Sequence, residues 1–414
     1  MRAVPILLLS FLFLAFPLHA QSPDPASPSR DPLFFGYGTD PEMDFGGRTV
    51  MSLQSAISRA FGSIANLGER HPGLSPAWEF PVAAAVLLIQ HEVGGHGGRG
   101  REFGLGPSYA FNWDLSAATG TRRPPATNEE NALIGAGGTE ADNVMAHRVM
   151  IDLLRPEGVD GAKVPLAFMS KLDLTVYVAS TENPDRGQDF VDQYQDGNDI
   201  AYYLLSRQAQ RRHTAPVTVW SGTYRADLDD PLLASNYDDA RATALWNLLD
   251  PSLVGASINY FREHVLGGSP RVHAPVLHLR NGVGLALGTR GALGPQEVSR
   301  FLDLYASTPR GVFTVYVRDL DSSIDRTYGT GTGIHGLKLG RNVEMDLSLD
   351  TWEEPDSREA VRTGSGWNAT AEVDALFGPR WGLSAKVGSK SDGFFPGLPL
   401  EDGVYVGFGV QAVW

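Results

Sequence analysis

No cysteine occurs anywhere in the 414 residues. That excludes disulfide staples, thiolate metal sites and cysteine nucleophiles together, so the chain must be held by packing, backbone pairing or metal. Positive charge is also short: 34 Lys and Arg stand against 48 Asp and Glu, a formal charge of −14. A nucleic-acid partner would want a basic face, so that class is set aside. Beyond the N-terminus there is no long uncharged apolar run. The nearest, "FPVAAAVLLIQHEVGG", is short for a span and runs straight into His91 and Glu92. No G-x-S-x-G elbow flags a serine nucleophile.

The opening "MRAVPILLLSFLFLAFPLHAQS" has one early charge, Arg2, an apolar stretch from Val4 to about Leu18, and a small residue, Ala20, before Gln21. This pattern predicts a secretory signal peptide over 1–20. The Pro/Ser-rich stretch that follows predicts a disordered leader over 21–34.

Two regions of different period remain. Over 35–268 the apolar spacing is mostly helical, as in "GRTVMSLQSAISRAFGSIANLG", "PLAFMSKLDLTVYVAS" and "DDARATALWNLLDPSLVGASINYFREHVLGG". Over 269–414 the period becomes two: Val343, Met345, Leu347 and Leu349 alternate with Glu344, Asp346, Ser348 and Asp350. Trp367, Ala369, Ala371, Val373, Ala375 and Phe377 do the same against polar neighbours. The expected fold class is therefore α+β, a mainly helical N-terminal domain followed by an antiparallel β-barrel of about eight to ten strands.

Strands of about ten residues with aromatic residues near their ends fit an outer-membrane barrel; the alternative is a periplasmic β-sandwich or open sheet. The last segment, "VYVGFGVQAVW", is similar to the C-terminal assembly signal of Gram-negative outer-membrane proteins. That resemblance implies outer-membrane lipid and the barrel assembly machinery as partners, and the outer membrane as location, with the periplasm as alternative.

"LLIQHEVGGHGGRGRE" carries the chemistry. In H-E-x-x-H, a four-residue step puts two imidazoles on one helix face with a glutamate beside them as general base. Here the step from His91 to His96 is five, which on an ideal α-helix leaves them roughly 140° apart. One extra residue in the turn, a π-bulge, restores a common face. Gly94 and Gly95 stand where the backbone would widen, and paired glycines in a helix interior call for a reason.

"HEVGGH" resembles the H-E-x-x-x-H signature of zinc peptidases of the dipeptidyl-peptidase III type. The resemblance covers this motif and one downstream glutamate only. It implies Zn²⁺ held by His91, His96 and a glutamate from a later helix, with Glu92 as general base acting on a peptide-like substrate. Glu140 in "IGAGGTEADNVMAHRVMIDLL", forty-odd residues beyond His96, is the expected third ligand. Asp142 or Asn143 would orient a ligand histidine, and His147 is a further candidate for ligand or supporting donor. Arg99 and Arg101 would meet a substrate carboxylate or a developing oxyanion.

Elsewhere "ENPDRGQDFVDQYQDGND" lacks the ligand order of a calcium loop and reads as a solvated loop. "RDLDSSIDRTYGTGTG" reads as a hairpin connection. The functional expectation is a zinc-dependent hydrolase of peptide or other amide bonds in the outer membrane. The alternative is a non-catalytic outer-membrane protein, structural or ligand-binding, with at most a structural metal.

Overall fold

A computed structural model describes residues 31–64, 67–214, 216, 227–279, 282–322, 324–340, 342–356, 362–377 and 380–412. The expected signal peptide, most of the expected leader and the terminal Trp414 lie outside the described residues.

The architecture is mixed α+β. Strand β1 (Leu33–Gly38) is followed by helices α1 (Met43–Ser63) and α2 (Pro76–Ile89), a π-helical segment (Gln90–His96) and α3 (Gly97–Glu102). A small hairpin, β2 (Pro107–Phe111) and β3 (Ala117–Thr121), leads into α4 (Asn128–Leu153). After β4 (Val159–Asp160) come α5 (Lys163–Ser180), α6 (Gln188–Gln195), α7 (Asp199–Arg211), α8 (Pro231–Leu248) and α9 (Pro251–Asn259), the last running into a second π-helical segment (Tyr260–Val265). The remaining strands are β5 (Arg271–Val272), β6 (Leu277–His278), β7 (Gly284–Leu293), β8 (Val298–Thr308), β9 (Gly311–Asp321), β10 (Arg326–Lys338), β11 (Val343–Glu354), β12 (Gly364–Phe377), β13 (Trp381–Lys390) and β14 (Gly403–Ala412).

Ten strands form one antiparallel sheet in the order β1-β14-β13-β12-β11-β10-β9-β8-β7-β6. The strand count agrees with expectation, but the sheet does not close: β1 and β6 are its two free ends. Its first strand comes from the N-terminal part of the chain, where Leu33 and Phe34, assigned to the leader by sequence, open β1 and pair with Ala412 and Gln411.

Period-two patterning sets the two faces, and they are reversed relative to a water-soluble sandwich. Leu349, Leu383 (52% exposed) and Phe408 (67% exposed) point outward, whereas Asp350, Asn368, Glu372 and Lys386 are buried. Registers such as Leu349↔Ala369 and Leu383↔Val410 line up the apolar residues of neighbouring strands on the outside.

Helix α4 is the axis. It starts cleanly because the Thr127 hydroxyl accepts from the Glu130 N–H while the Glu130 carboxylate accepts from the Ala126 N–H. Ala132, Ala136, Gly137, Gly138, Ala141 and Ala146 give it a small-residue surface, buried nearly throughout. α1, α5, α7, the first π-helical segment and β7 therefore all pack directly against it.

Candidate metal centre

The extra residue inferred from the five-residue step is visible as the π-helical segment Gln90–His96. It brings His91 and His96 to the same side, their Nε2 atoms 3.1 Å apart. Glycine makes the approach to α4 possible. A methyl group on Gly95 would collide with the Gly137 carbonyl, and one on Gly138 would occupy the His91 imidazole. His91, Glu92 and His96 form a buried group that could hold a metal ion, with a ligand atom of each lying within 4.8 Å of the others.

The tautomers follow from the partners. His96 Nδ1 lies 2.5 Å from the Ile134 carbonyl, which can only accept, so that nitrogen carries the hydrogen. His91 Nδ1 donates to Asp142 Oδ2 at 3.1 Å, with Asp173 Oδ2 a further 3.2 Å neighbour of the same nitrogen. The ring of Tyr177 stacks on His91 at 4.9 Å and fixes its plane. With Nδ1 of both rings engaged, the two Nε2 atoms face each other; burial opposes a second proton on either ring, but Asp173, Asp142 and Asp199 push the His91 imidazole well above its ordinary range and Asp199 raises that of His96.

Asp199, the first residue of α7, completes the triangle. Its Oδ2 is 3.3 Å from His96 Nε2 and 3.5 Å from His91 Nε2. Three electron-pair donors converging this closely repel one another unless a proton on an imidazole or a metal cation sits among them. Donors held at about 2.0–2.1 Å around a tetrahedral ion are about 3.3 Å apart, which matches the observed edges. Burial would raise the Asp199 carboxyl, yet the His96 and His91 imidazoles hold it well below the usual carboxylate range.

The charge balance points the same way. Glu92, Asp142, Asp173 and Asp199 are four carboxylates around two imidazoles, and among the described residues no lysine or arginine is paired with them. Burial and the neighbouring Asp173 push the Asp142 carboxyl well above the usual range, and the remaining buried charge is offset by protons on the imidazoles or by a metal cation.

Several sequence-assigned residues are elsewhere. Glu140 is corrected first: its carboxylate accepts from the Arg99 guanidinium and from the Gly397 N–H, at 2.7 Å for the latter, and it is not a member of the donor cluster. Arg99 is spent on Glu140, Glu102 and the Leu398 carbonyl, fully buried and away from any substrate. Arg101 binds Asp40 and the Tyr109 hydroxyl. Asn143 donates to the Thr139 carbonyl of its own helix, and His147 faces the sheet, 3.3 Å from the Tyr305 hydroxyl.

A cleft of about 730 Å³ opens on the site, lined by Glu92, His96, β3, Arg122, Arg123, Tyr177 and Asp199. Thr119 of β3 donates to Glu92 Oε2 at 2.7 Å and holds that carboxylate at the cleft floor. Asp199 lies in the acidic stretch that composition alone assigns to solvent. Asn198, whose side chain accepts from the Ala201 N–H, starts a helix there and turns Asp199 inward. An N-cap residue directly before an aspartate was the available signal. Compared with protein-family models, curated proteins and solved structures, the chain matches none.

Proposed function

We propose that the protein is a zinc-dependent hydrolase of a peptide or other amide bond, anchored in the outer membrane by its apolar-faced sheet. The observation that carries the catalytic part is the triangle of His91 Nε2, His96 Nε2 and Asp199 Oδ2, with Glu92 beside it at the floor of an open cleft. Two imidazole nitrogens and one carboxylate are a donor set that suits Zn²⁺ and leaves a further position for substrate or water. When bound by His91, His96 and Asp199, the ion would supply Lewis acidity, lowering the pKa of a water and offsetting charge that develops on the attacked oxygen.

The protein's own residues do the rest. Glu92, steadied by Thr119, accepts a proton from the attacking water as its oxygen adds to the carbonyl carbon. When the C–N bond breaks, the same carboxyl returns that proton to the departing amine, leaving an acid and an amine. Asp142 and the Ile134 carbonyl keep the imidazoles in the ligating tautomer. Arg122 and Arg123 line the cleft and offer charge to a substrate carboxylate, the role that sequence assigned to Arg99 and Arg101.

Turnover of a defined peptide mixture by the full chain tests this. Chelation should abolish it and added Zn²⁺ should restore it; equal turnover before and after chelation would refute the proposal.

A further inference from the structure

An open sheet leaves two rows of backbone N–H and C=O groups, and here helix side chains satisfy both. On the β1 edge, Ser52 of α1 accepts from the Phe34 N–H at 2.8 Å. Thr49 accepts from the Gly36 N–H and donates to the Gly36 carbonyl. On the β7 edge, beyond the two-residue β6, Asn247 of α8 accepts from the Gly291 N–H at 2.6 Å. Ser252 of α9 and Lys171 of α5 donate to the carbonyls of Leu287 and Thr289. Between the two edges the perimeter is continuous: β1 packs on α1, α1 on α2, α2 on α5, and α5 on α8 and α9, both of which pack on β7. In water a free edge is covered to prevent pairing with another chain, and its backbone groups can otherwise bond to solvent; in hydrocarbon they must be satisfied within the protein.

The same helices carry apolar residues on their outer side as well as their inner one. α1 buries Met43, Phe45, Val50 and Met51 together with Ser52, Gln54, Ser55 and Ser58 and still exposes Ile57 and Phe61, and α2 likewise buries Val82, Val86 and Leu87. α2 buries Glu79 and exposes Ala77, Pro81, Ala85 and Ile89, a purely apolar stripe at four-residue spacing. α5 buries Ser170 and Lys171 and exposes Phe168 and Val176, the latter 59% exposed; α9 exposes Val254 and Ile258. The helical stretch Pro72–Glu102 is, by length and composition, able to cross a membrane. A globular helix in water turns its apolar stripe inward, and an apolar surface of this extent on a monomer marks a partner phase.

We propose that bilayer acyl chains cover one continuous belt formed by the outer face of the sheet together with α1, α2, α5 and α9. The membrane body is then a ring of strands closed by helices around α4, and the metal centre lies inside that ring. Ile89 on the lipid stripe is separated from His91 only by Gln90, and Val176 directly precedes Tyr177, whose ring covers His91. The proposal rests on the membrane anchorage of the sheet, and is independent of catalysis.

The absence of cysteine makes the test clean. Single variants Phe61→Cys, Ala85→Cys, Val176→Cys and Ile258→Cys on the helices, Leu383→Cys on the sheet and Asp238→Cys as an aqueous control are made in the full chain. Each is labelled with an environment-sensitive fluorophore and reconstituted in phosphatidylcholine vesicles. The expected result is quenching by acyl-chain nitroxides, with loss of quenching by an aqueous nitroxide, at the four helix positions and at Leu383, and the reverse at Asp238. Lipid quenching at Leu383 with aqueous quenching at the helix positions overturns the helical wall while leaving the anchored sheet. Aqueous quenching at every position overturns both.

Discussion

On the sheet side of α4, buried charge is matched within the protein. Arg148 meets Asp346 at 3.1 Å, Arg290 meets Asp303 at 3.1 Å, and Lys386 lies 3.2 Å from Asp44. On the cleft side of the same helix, four carboxylates face two imidazoles, and among the described residues no guanidinium or ammonium comes to them. The side chains of both regions are largely buried, so burial alone does not distinguish them. The difference is in the partners: on the sheet side guanidinium and ammonium groups meet the carboxylates, whereas on the cleft side imidazole and carboxylate donors converge in a group that could hold a metal ion.

The sharpest way to break that contrast is to remove donors on the cleft side. His96→Ala or Asp199→Ala should abolish bound Zn²⁺, read by elemental analysis, and bring hydrolysis to background. Retained metal in both variants would place the ion elsewhere. Glu92→Gln keeps the donors and removes the base, so metal content should hold while kcat falls by about 10²–10⁴-fold. Unchanged kcat would remove Glu92 from the mechanism.

Smaller effects sharpen the picture. Asp142→Asn should weaken metal affinity by about 10–100-fold, since it perturbs the hydrogen bond that orients His91 without touching the ligating nitrogen. Competition with a chromogenic chelator measures it, and wild-type affinity would deny Asp142 that role. Glu140→Ala should leave metal content unchanged. It strands the buried Arg99 guanidinium instead, at a cost of about 3–5 kcal/mol in unfolding free energy. Metal loss from an otherwise folded Glu140→Ala protein would restore Glu140 as a ligand.

Local pattern was enough to find what depends on neighbours in sequence. The alternation Val343, Met345, Leu347, Leu349 marks β11, and the glycine pair inside "HEVGGH" marks the widened helical turn. What depends on tertiary placement was not legible. In sequence Glu140 reads as a ligand on a later helix and Asp199 as part of a solvated loop, but α4 turns Glu140 toward Arg99 and the β13–β14 connection, while α7 delivers Asp199 to the imidazoles. Helical period likewise marked α1 as a helix and did not tell which of its apolar residues are buried, Val50 and Met51, and which exposed, Ile57 and Phe61. β1, at the N-terminal end of the described residues, pairs with β14 at the other end of the chain, a contact between distant segments that local period does not carry.

The most direct measurement is an anomalous-difference map from crystals of the full chain grown with Zn²⁺. One strong peak about 2.0–2.2 Å from His91 Nε2, His96 Nε2 and Asp199 Oδ2 together is the expected result. A zinc-loaded crystal whose peak lies away from those three atoms, or that shows the imidazoles turned apart with no peak between them, would contradict the metal centre.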